Sequence, residues 1–357
     1  MRPLAAALVA LALVATAPTA AFAAPVVGIA DSDASTFVEP GWAGLGVSTG
    51  RAVVPYDVAL TAPITDTPAG RSRLNFDAWV ANAAQAGVRP LVAFQTSLGS
   101  NQAAPSPATY GRAIRAFLRT YPTVRMFAPW NEPNFRSAAV PNPLVERPAL
   151  AARYYLVLRS SCRRCTVLAG ELAGIPGDPY LSRYQRALGS VRPKLWGVHA
   201  HTDANQFQAG VNANAPATRF FLRQLGGSWA HSRLWIDEVG AYYRDENGTV
   251  WGDQSQQQTM SFILGLASLS PRIARIYYYN LSNQCSDPSR CAVQDRGLVS
   301  PSPFDVATGA SIGYDVAGRI RPAYGVIAAR GPIVAPSASR GTGTATTRSR
   351  RRSRSAA

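Results

Sequence analysis

The sequence predicts an α/β fold, a (β/α)8 TIM barrel built as a single domain with a disordered C-terminal tail. Three observations carry this. Apolar runs of strand length alternate with helix-like segments from Pro25 to about Arg330, the pattern of a parallel sheet wrapped in helices. There are eight such runs, the number that closes a barrel. Two of them finish on a glutamate, in Trp130-Asn131-Glu132-Pro133 and in Trp235-Ile236-Asp237-Glu238.

In chain order, the expected strands are Val26–Ala30, Ala52–Pro55, Pro90–Phe94, Arg125–Trp130, Thr166–Gly170, Leu195–His199, Arg233–Asp237 and Arg275–Tyr279. Helices are expected between several of them. Asn75 is a candidate N-cap for a helix carrying Phe76, Trp79, Val80 and Ala83 at helical spacing, with Gly87 as its stop. Ser106-Pro107 opens a second, with Tyr110, Ile114, Phe117 and Leu118 on one face and Pro122 ending it. Asp253–Ser270 fills the interval before the last strand, its apolar stripe being Phe262, Ile263, Leu266 and Leu269. Long irregular stretches follow the first, second, fourth and eighth strands, and in such a barrel the loops after the strands build the site.

Both ends of the chain fall outside this pattern. Residues 1–23 read as a signal peptide: Arg2 supplies a positive start, Leu4 to Val14 an apolar stretch, and Ala21-Phe22-Ala23 a cleavage signal. The apolar stretch is too short for a membrane span, which takes roughly 20 residues, and no later segment qualifies. The barrel domain is expected over 24–331. Residues 332–357 are rich in Ser, Thr, Gly and Arg, cannot form a core, and are expected to be disordered.

An exported chain gives the four cysteines a meaning. They form two close pairs, Cys162 with Cys165 and Cys285 with Cys291, expected to be two local disulfides. A four-cysteine zinc site fits less well, because the second pair is spaced too widely and Arg163 and Arg164 crowd the first. Net charge is +16, carried by arginine except for Lys194. With Arg2 and the six tail arginines set aside, 29 basic face 20 acidic residues, a balance of +9. Such a charge favours anionic polymers, but no nucleic-acid-binding motif accompanies it and no nucleic-acid partner is expected. The basic tail remains a candidate contact for anionic envelope polymer.

The two glutamates suggest a chemistry. Glu132 and Glu238 are 106 positions apart, room for two or three strand–helix units of roughly 40 residues within one barrel. Glycosidic-bond cleavage needs one carboxyl group protonated and another ionised, about 5–5.5 Å apart in a retaining enzyme, in surroundings that push their pKa values in opposite directions.

The segment Arg125-Met126-Phe127-Ala128-Pro129-Trp130-Asn131-Glu132-Pro133-Asn134 resembles the fourth-strand signature of the clan A glycoside hydrolases, (β/α)8 retaining β-glycosidases. The resemblance implies Glu132 as acid/base and Asn131 as ligand of the sugar 2-hydroxyl. Leu234-Trp235-Ile236-Asp237-Glu238-Val239-Gly240 resembles the seventh-strand signature, implying Glu238 as nucleophile. Gly50-Arg51-Ala52-Val53-Val54-Pro55-Tyr56-Asp57 is similar to the second strand, where an arginine supports the nucleophile. Trp196-Gly197-Val198-His199-Ala200-His201 resembles the sixth, with His199 in place and His201 standing where the family has a tyrosine. His201 remains able to bond Glu238, and its titration would make activity pH-dependent; a metal on this His pair lacks a third ligand, and no metal or cofactor is expected. The eighth strand departs further, with Tyr277-Tyr278-Tyr279 where a tryptophan is usual. Tyr279 is the candidate stacking face and Trp251 a candidate platform for a neighbouring sugar. Glu171 is a spare acid for which a structural role is expected. Arg296-Gly297-Leu298-Val299 with Arg321-Pro322-Ala323-Tyr324 resembles the closing segment and final helix of related barrels.

The expected protein is thus a secreted or envelope-associated monomeric O-glycosyl hydrolase acting on a β-linked poly- or oligosaccharide by double displacement. A non-catalytic polysaccharide-binding barrel of the cell envelope is the rival reading, motivated by the altered sixth and eighth strands. An envelope protein acting mainly through its arginine tail is a third.

Overall fold

A computed structural model describes residues 24–99, 102–136, 142–282, 294–300 and 318–330. The expected leader and the tail lie outside these residues. Among the described residues nine strands run in chain order: β1 (Val26–Ala30), β2 (Thr49–Pro55), β3 (Arg89–Gln95), β4 (Met126–Ala128), β5 (Thr166–Val167), β6 (Glu171–Ala173), β7 (Leu195–His199), β8 (Arg233–Val239) and β9 (Ile273–Tyr278). They form one sheet in the order β5-β4-β3-β2-β1-β9-β8-β7-β6, with every strand pair parallel.

The two ends of that order are consecutive in sequence. The expected fifth strand is broken into β5, which pairs with β4, and β6, which pairs with β7. Between them, Leu168 N–H donates to Phe127 and Ala169 N–H to Leu195 (both 2.9 Å). One segment thus bonds to neighbours on either side and closes the sheet into a barrel of eight staves.

Helices cover the outside: α1 (Pro40–Gly44), α2 (Pro68–Gln85), α3 (Pro107–Thr120), α4 (Pro148–Ser161), α5 (Tyr180–Ala187), α6 (His201–Gln208), α7 (Pro216–Gln224), α8 (Gly252–Gly265) and α9 (Pro322–Ala328). Ser106 caps α3 as expected, accepting from Thr109 N–H, with Pro107 in the first turn. The α2 expectation needs correcting. Thr67 is its N-cap, two turns earlier, and Asn75 lies mid-helix, where its amide accepts from Ala34 N–H and donates to Ser32 C=O. Asn75 therefore ties the loop after β1 to the helix. The segment expected as one helix over 253–270 is α8 followed by a 3-10 turn at Leu266–Leu269. Val299 bridges Ile320 and α9 follows, as the closing-segment likeness implied.

Strand periodicity sorts the side chains into two cores. On β3, Val92 and Phe94 face the helices, whereas Leu91 and Ala93 enter the lumen with Ala30, Met126, Ala128, Leu168, Trp235 and Tyr277. The lumen is packed in its lower half, so polar groups gather at its mouth. No helix among the described residues is long and apolar enough to cross a membrane.

Of the two disulfides expected, one is present among the described residues. Cys162 and Cys165 are bonded just after α4, in agreement with the local pairing read from their spacing. The other expected disulfide, joining Cys285 to Cys291, is not seen: Cys285 and Cys291 both lie outside the described residues, and their pairing stands as an expectation.

Candidate active site

The mouth of the barrel is organised around one buried cation. Arg51 sits on β2, faces the lumen and is 1 % exposed. Its Nε and Nη2 donate to Glu171 Oε1 and Oε2 at 3.0 and 2.8 Å, Nη1 to Glu238 Oε2 at 2.6 Å, and Nη2 also to Asn131 Oδ1 at 2.7 Å. Burial opposes its charge, but Glu171 and Glu238 outweigh burial and hold the guanidinium protonated. The fork geometry suits an arginine and no other residue.

Glu238 reaches the lumen because β8 is irregular. Strict alternation would send Asp237 and Glu238 to opposite faces, but the register slips between Ile236 and Val239 against β9 and at His199 against β7, and both carboxylates turn inward. Gly197 on β7 makes the room: a Cβ there would collide with the Asp237 carboxylate. Burial alone would raise the Glu238 pKa; the positive His199 and Arg51, with the hydrogen bond from His201, reverse this and hold it well below the usual carboxylate range. Asp237 goes the other way. Burial and the neighbouring Glu171 push its pKa far up.

Glu132 follows the fourth strand in a left-handed conformation, φ 40°, which costs a non-glycine residue of order 1–3 kcal/mol. Its surroundings hold it there. Asn131 N–H donates to Phe94 C=O, Asn142 donates to Glu132 C=O at 2.7 Å, and the Asn134 amide pairs with both backbone groups of Ala173. Tyr110 bonds Pro129 C=O, and Trp130 stacks on Tyr56.

His199 joins the two glutamates. Its Nδ1 is 2.8 Å from Glu132 Oε1 and 4.0 Å from Glu238 Oε2. The two carboxylate oxygens can stand no farther apart than these distances combined. That limit accommodates the roughly 5–5.5 Å of a retaining pair. Burial disfavours charge on His199, yet Glu238 and Glu132 together overcome it and raise its pKa to about 9. The 3.2 Å approach of Arg51 Nη2 to Nε2 would suit a bare nitrogen. With Glu238 at 4.0 Å and Glu132 closest of all, the two carboxylates prevail and the ring is cationic. Raised above the ordinary 6.5, this proton contributes stability that is complete below about pH 6.5 and is lost as pH climbs through about 9.

His201 opens α6 and places Nε2 3.1 Å from Glu238 Oε1. Burial, reinforced by Arg296, lowers its pKa despite that carboxylate. It is therefore a neutral imidazole donating through Nε2, consistent with a buried Nδ1 that has no hydrogen-bond partner among the described residues. The expected titration of His201 is thus displaced below its ordinary range, and His199, its pKa raised to about 9, is the better-placed titrating group. Of the three tyrosines at the end of β9 and just past it, Tyr277 fills the lumen and Tyr278 bonds Ala241 and Arg296 carbonyls. Tyr279 alone is half-exposed at the mouth, its ring edge-on to His201 at 6.2 Å.

Six of the expected residues, Arg51, Asn131, Glu132, His199, His201 and Glu238, share one hydrogen-bond network, with Tyr279 beside it. Trp251 is not drawn into this network: its indole donates to Asp245 Oδ2 and its backbone to Tyr243, within its own loop. Sequence reasoning sets Glu171 aside and passes over Asp237; both prove to be buried in the cluster. Oxygen and nitrogen atoms of Glu171, His199 and Asp237 lie within 4.8 Å of one another, a ligand-like set, but the cation they surround is the Arg51 guanidinium. A metal ion would have to displace it.

Similarity to solved structures agrees with this architecture. The chain superposes on a fungal β-1,4-galactanase with TM-score 0.59 at 13% identity, covering 85% of this chain and 99% of that one. A family 1 β-glucosidase from Thermotoga maritima gives 0.52 at 10%, covering 86% and 97%, and a further β-glucosidase gives 0.52 at 13%, covering 82% and 86%. No protein-family model matches the chain, and no curated protein matches it. At such identities the likeness establishes the barrel fold, one shared with glycosidases.

Proposed function

We propose that the protein is a secreted retaining β-glycosidase whose catalytic carboxylates are Glu238 and Glu132. The observation that carries this reading is the placement of both carboxylates on one imidazole, His199, at 2.8 and 4.0 Å. Glu238, ionised and aimed by Arg51 and His201, attacks the anomeric carbon as the glycosidic C–O bond breaks. Glu132 delivers a proton to the departing oxygen. Water then enters, Glu132 takes its proton, and the hydroxide oxygen attacks the anomeric carbon to free Glu238. Asn131, with its oxygen fixed on Arg51, offers its amide N–H groups to a sugar hydroxyl, and Tyr279 offers a ring face. The substrate class is a β-linked poly- or oligosaccharide, and no cofactor enters these steps. Export rests on the leader-like residues 1–23, and a monomer is expected. An exported chain would also carry the second local disulfide, Cys285 to Cys291; a free thiol on Cys285 or Cys291 in the mature protein would count against that pairing.

The test is a 2-deoxy-2-fluoro glycosyl fluoride series on full-length protein, read by mass spectrometry. A stoichiometric adduct on Glu238 supports the reading. Tight binding of β-glycans with hydrolysis and labelling both absent would sink it and favour the polysaccharide-binding barrel suggested by the altered His201 and Tyr279 positions.

The His199–Glu132 pair makes a pH prediction. A proton held on His199 Nδ1, 2.8 Å from Glu132 Oε1, is within reach of both groups. Because the His199 pKa is raised to about 9, the alkaline limb of kcat/KM is expected near that pH. In His199→Asn the proton store is gone and the limb should move down by at least about one unit. An unmoved limb in the pH profile of a folded variant would refute the shared-proton role.

A further inference from the structure

The opposite face of the barrel carries a second feature. At the N-terminal ends of the strands a cleft of about 390 Å³ is lined by Arg89, Arg125, Arg164 and Arg275. Arg89 begins β3, Arg125 immediately precedes β4, Arg164 precedes β5, and Arg275 projects from β9. Arg275 reaches across the base of the lumen to within 3.7 Å of Met126 Sδ and stacks at 4.3 Å over Trp235. The first three are exposed and Arg275 is half-buried. Among the described residues none of the four pairs with a carboxylate, although Arg51, Arg73, Arg136, Arg319 and Arg321 all do.

Four like charges around one small cleft repel one another, and among the described residues no paired carboxylate offsets that repulsion. Guanidinium groups match the paired oxygens of phosphate and sulfate bidentately, where a lysine supplies only a point charge. A cleft this size exceeds a single oxyanion, and Val88 and Met126 give it an apolar wall for the body of a larger ligand. We propose that this cleft binds a ligand bearing two or more phosphate- or sulfate-type groups. It is separate from the glutamate cluster at the C-terminal face and does not depend on the glycosidase reading.

Isothermal titration of the full-length protein at about 0.15 M salt, with pyrophosphate in one arm and a disulfated disaccharide in the other, tests this. Saturable one-to-one binding is expected for at least one probe, the tighter one identifying the anion class. Arg89→Ala/Arg164→Ala should weaken it at least tenfold, while Arg112→Ala/Arg219→Ala, exposed arginines elsewhere, should leave it unchanged; the arginine tail is common to all. Binding absent from the wild type, or equal in the two double variants, overturns the proposal. A second measurement needs no variant: the bound probe should protect Arg89 and Arg164 from phenylglyoxal in peptide mapping, and unprotected arginines would count equally against it.

Discussion

Glu238→Ala is expected to lower kcat/KM by about 10⁴-fold or more, the scale on which enzymes lose turnover when a covalent nucleophile is removed. Glu238 is placed for that role by three positive or donating groups, Arg51, His199 and His201, and their combined field keeps it ionised despite burial. In the alanine variant the space left by the carboxylate opens beside Arg51. A small anion such as azide can enter there and attack the anomeric carbon from the same side, so azide should restore part of the rate and yield a glycosyl azide of inverted, α configuration. Glu132→Ala should lose comparable activity on substrates with poor leaving groups and much less on activated aryl glycosides, since only the former need the proton. Initial rates on both substrate types, with and without azide, separate the two roles. A Glu238→Ala protein that turned over at the wild-type rate would remove the nucleophile assignment.

The residues legible in the sequence share a property: each stands at or beside the end of an apolar run, where strand geometry makes the side chain's destination readable. Glu132 and His199 follow that rule, Glu238 stands at the end of its run but turns inward only through the slipped register, and Arg51, near the start of its run, faces the lumen by alternation. Glu171 and Asp237 do not. Glu171 comes after the point where the fifth strand breaks, and the break, which lets one segment bond to β4 and then to β7, leaves no mark in the hydrophobic pattern. Asp237 precedes Glu238 directly, and alternation forbids both from facing the same way. Only the slipped register of β8 places them together, and only Gly197 on the adjacent strand leaves space. Glycine at 197 is the one available signal. Trp251 misleads for the opposite reason: an aromatic side chain in a loop after a strand has no fixed destination, and here Asp245 claims its indole. The same limit applies to Asn75, whose amide suits a cap and serves a loop instead.

The largest expected loss of stability comes from Arg51→Met. The substitution leaves Glu171, which is fully buried, without the guanidinium that satisfies both its oxygens, beside a second buried acid, Asp237. Removing one partner of a buried pair typically costs about 3–5 kcal/mol, because the remaining charge is stranded in a poorly polarisable interior. The urea midpoint should fall accordingly. Adding Glu171→Met to the same protein should recover most of that loss, since an apolar pair of similar volume is often as stable as the ion pair it replaces. Activity should not recover with it, because Glu238 and Asn131 still lack the group that orients them. Recovery of stability without recovery of turnover would show that Arg51 and Glu171 form a support for Glu238 whose cost the fold bears for the sake of the site. A single variant as stable as the wild type would mean that water reaches Glu171 freely, and the account of a desolvated ion cluster at the barrel mouth would fail.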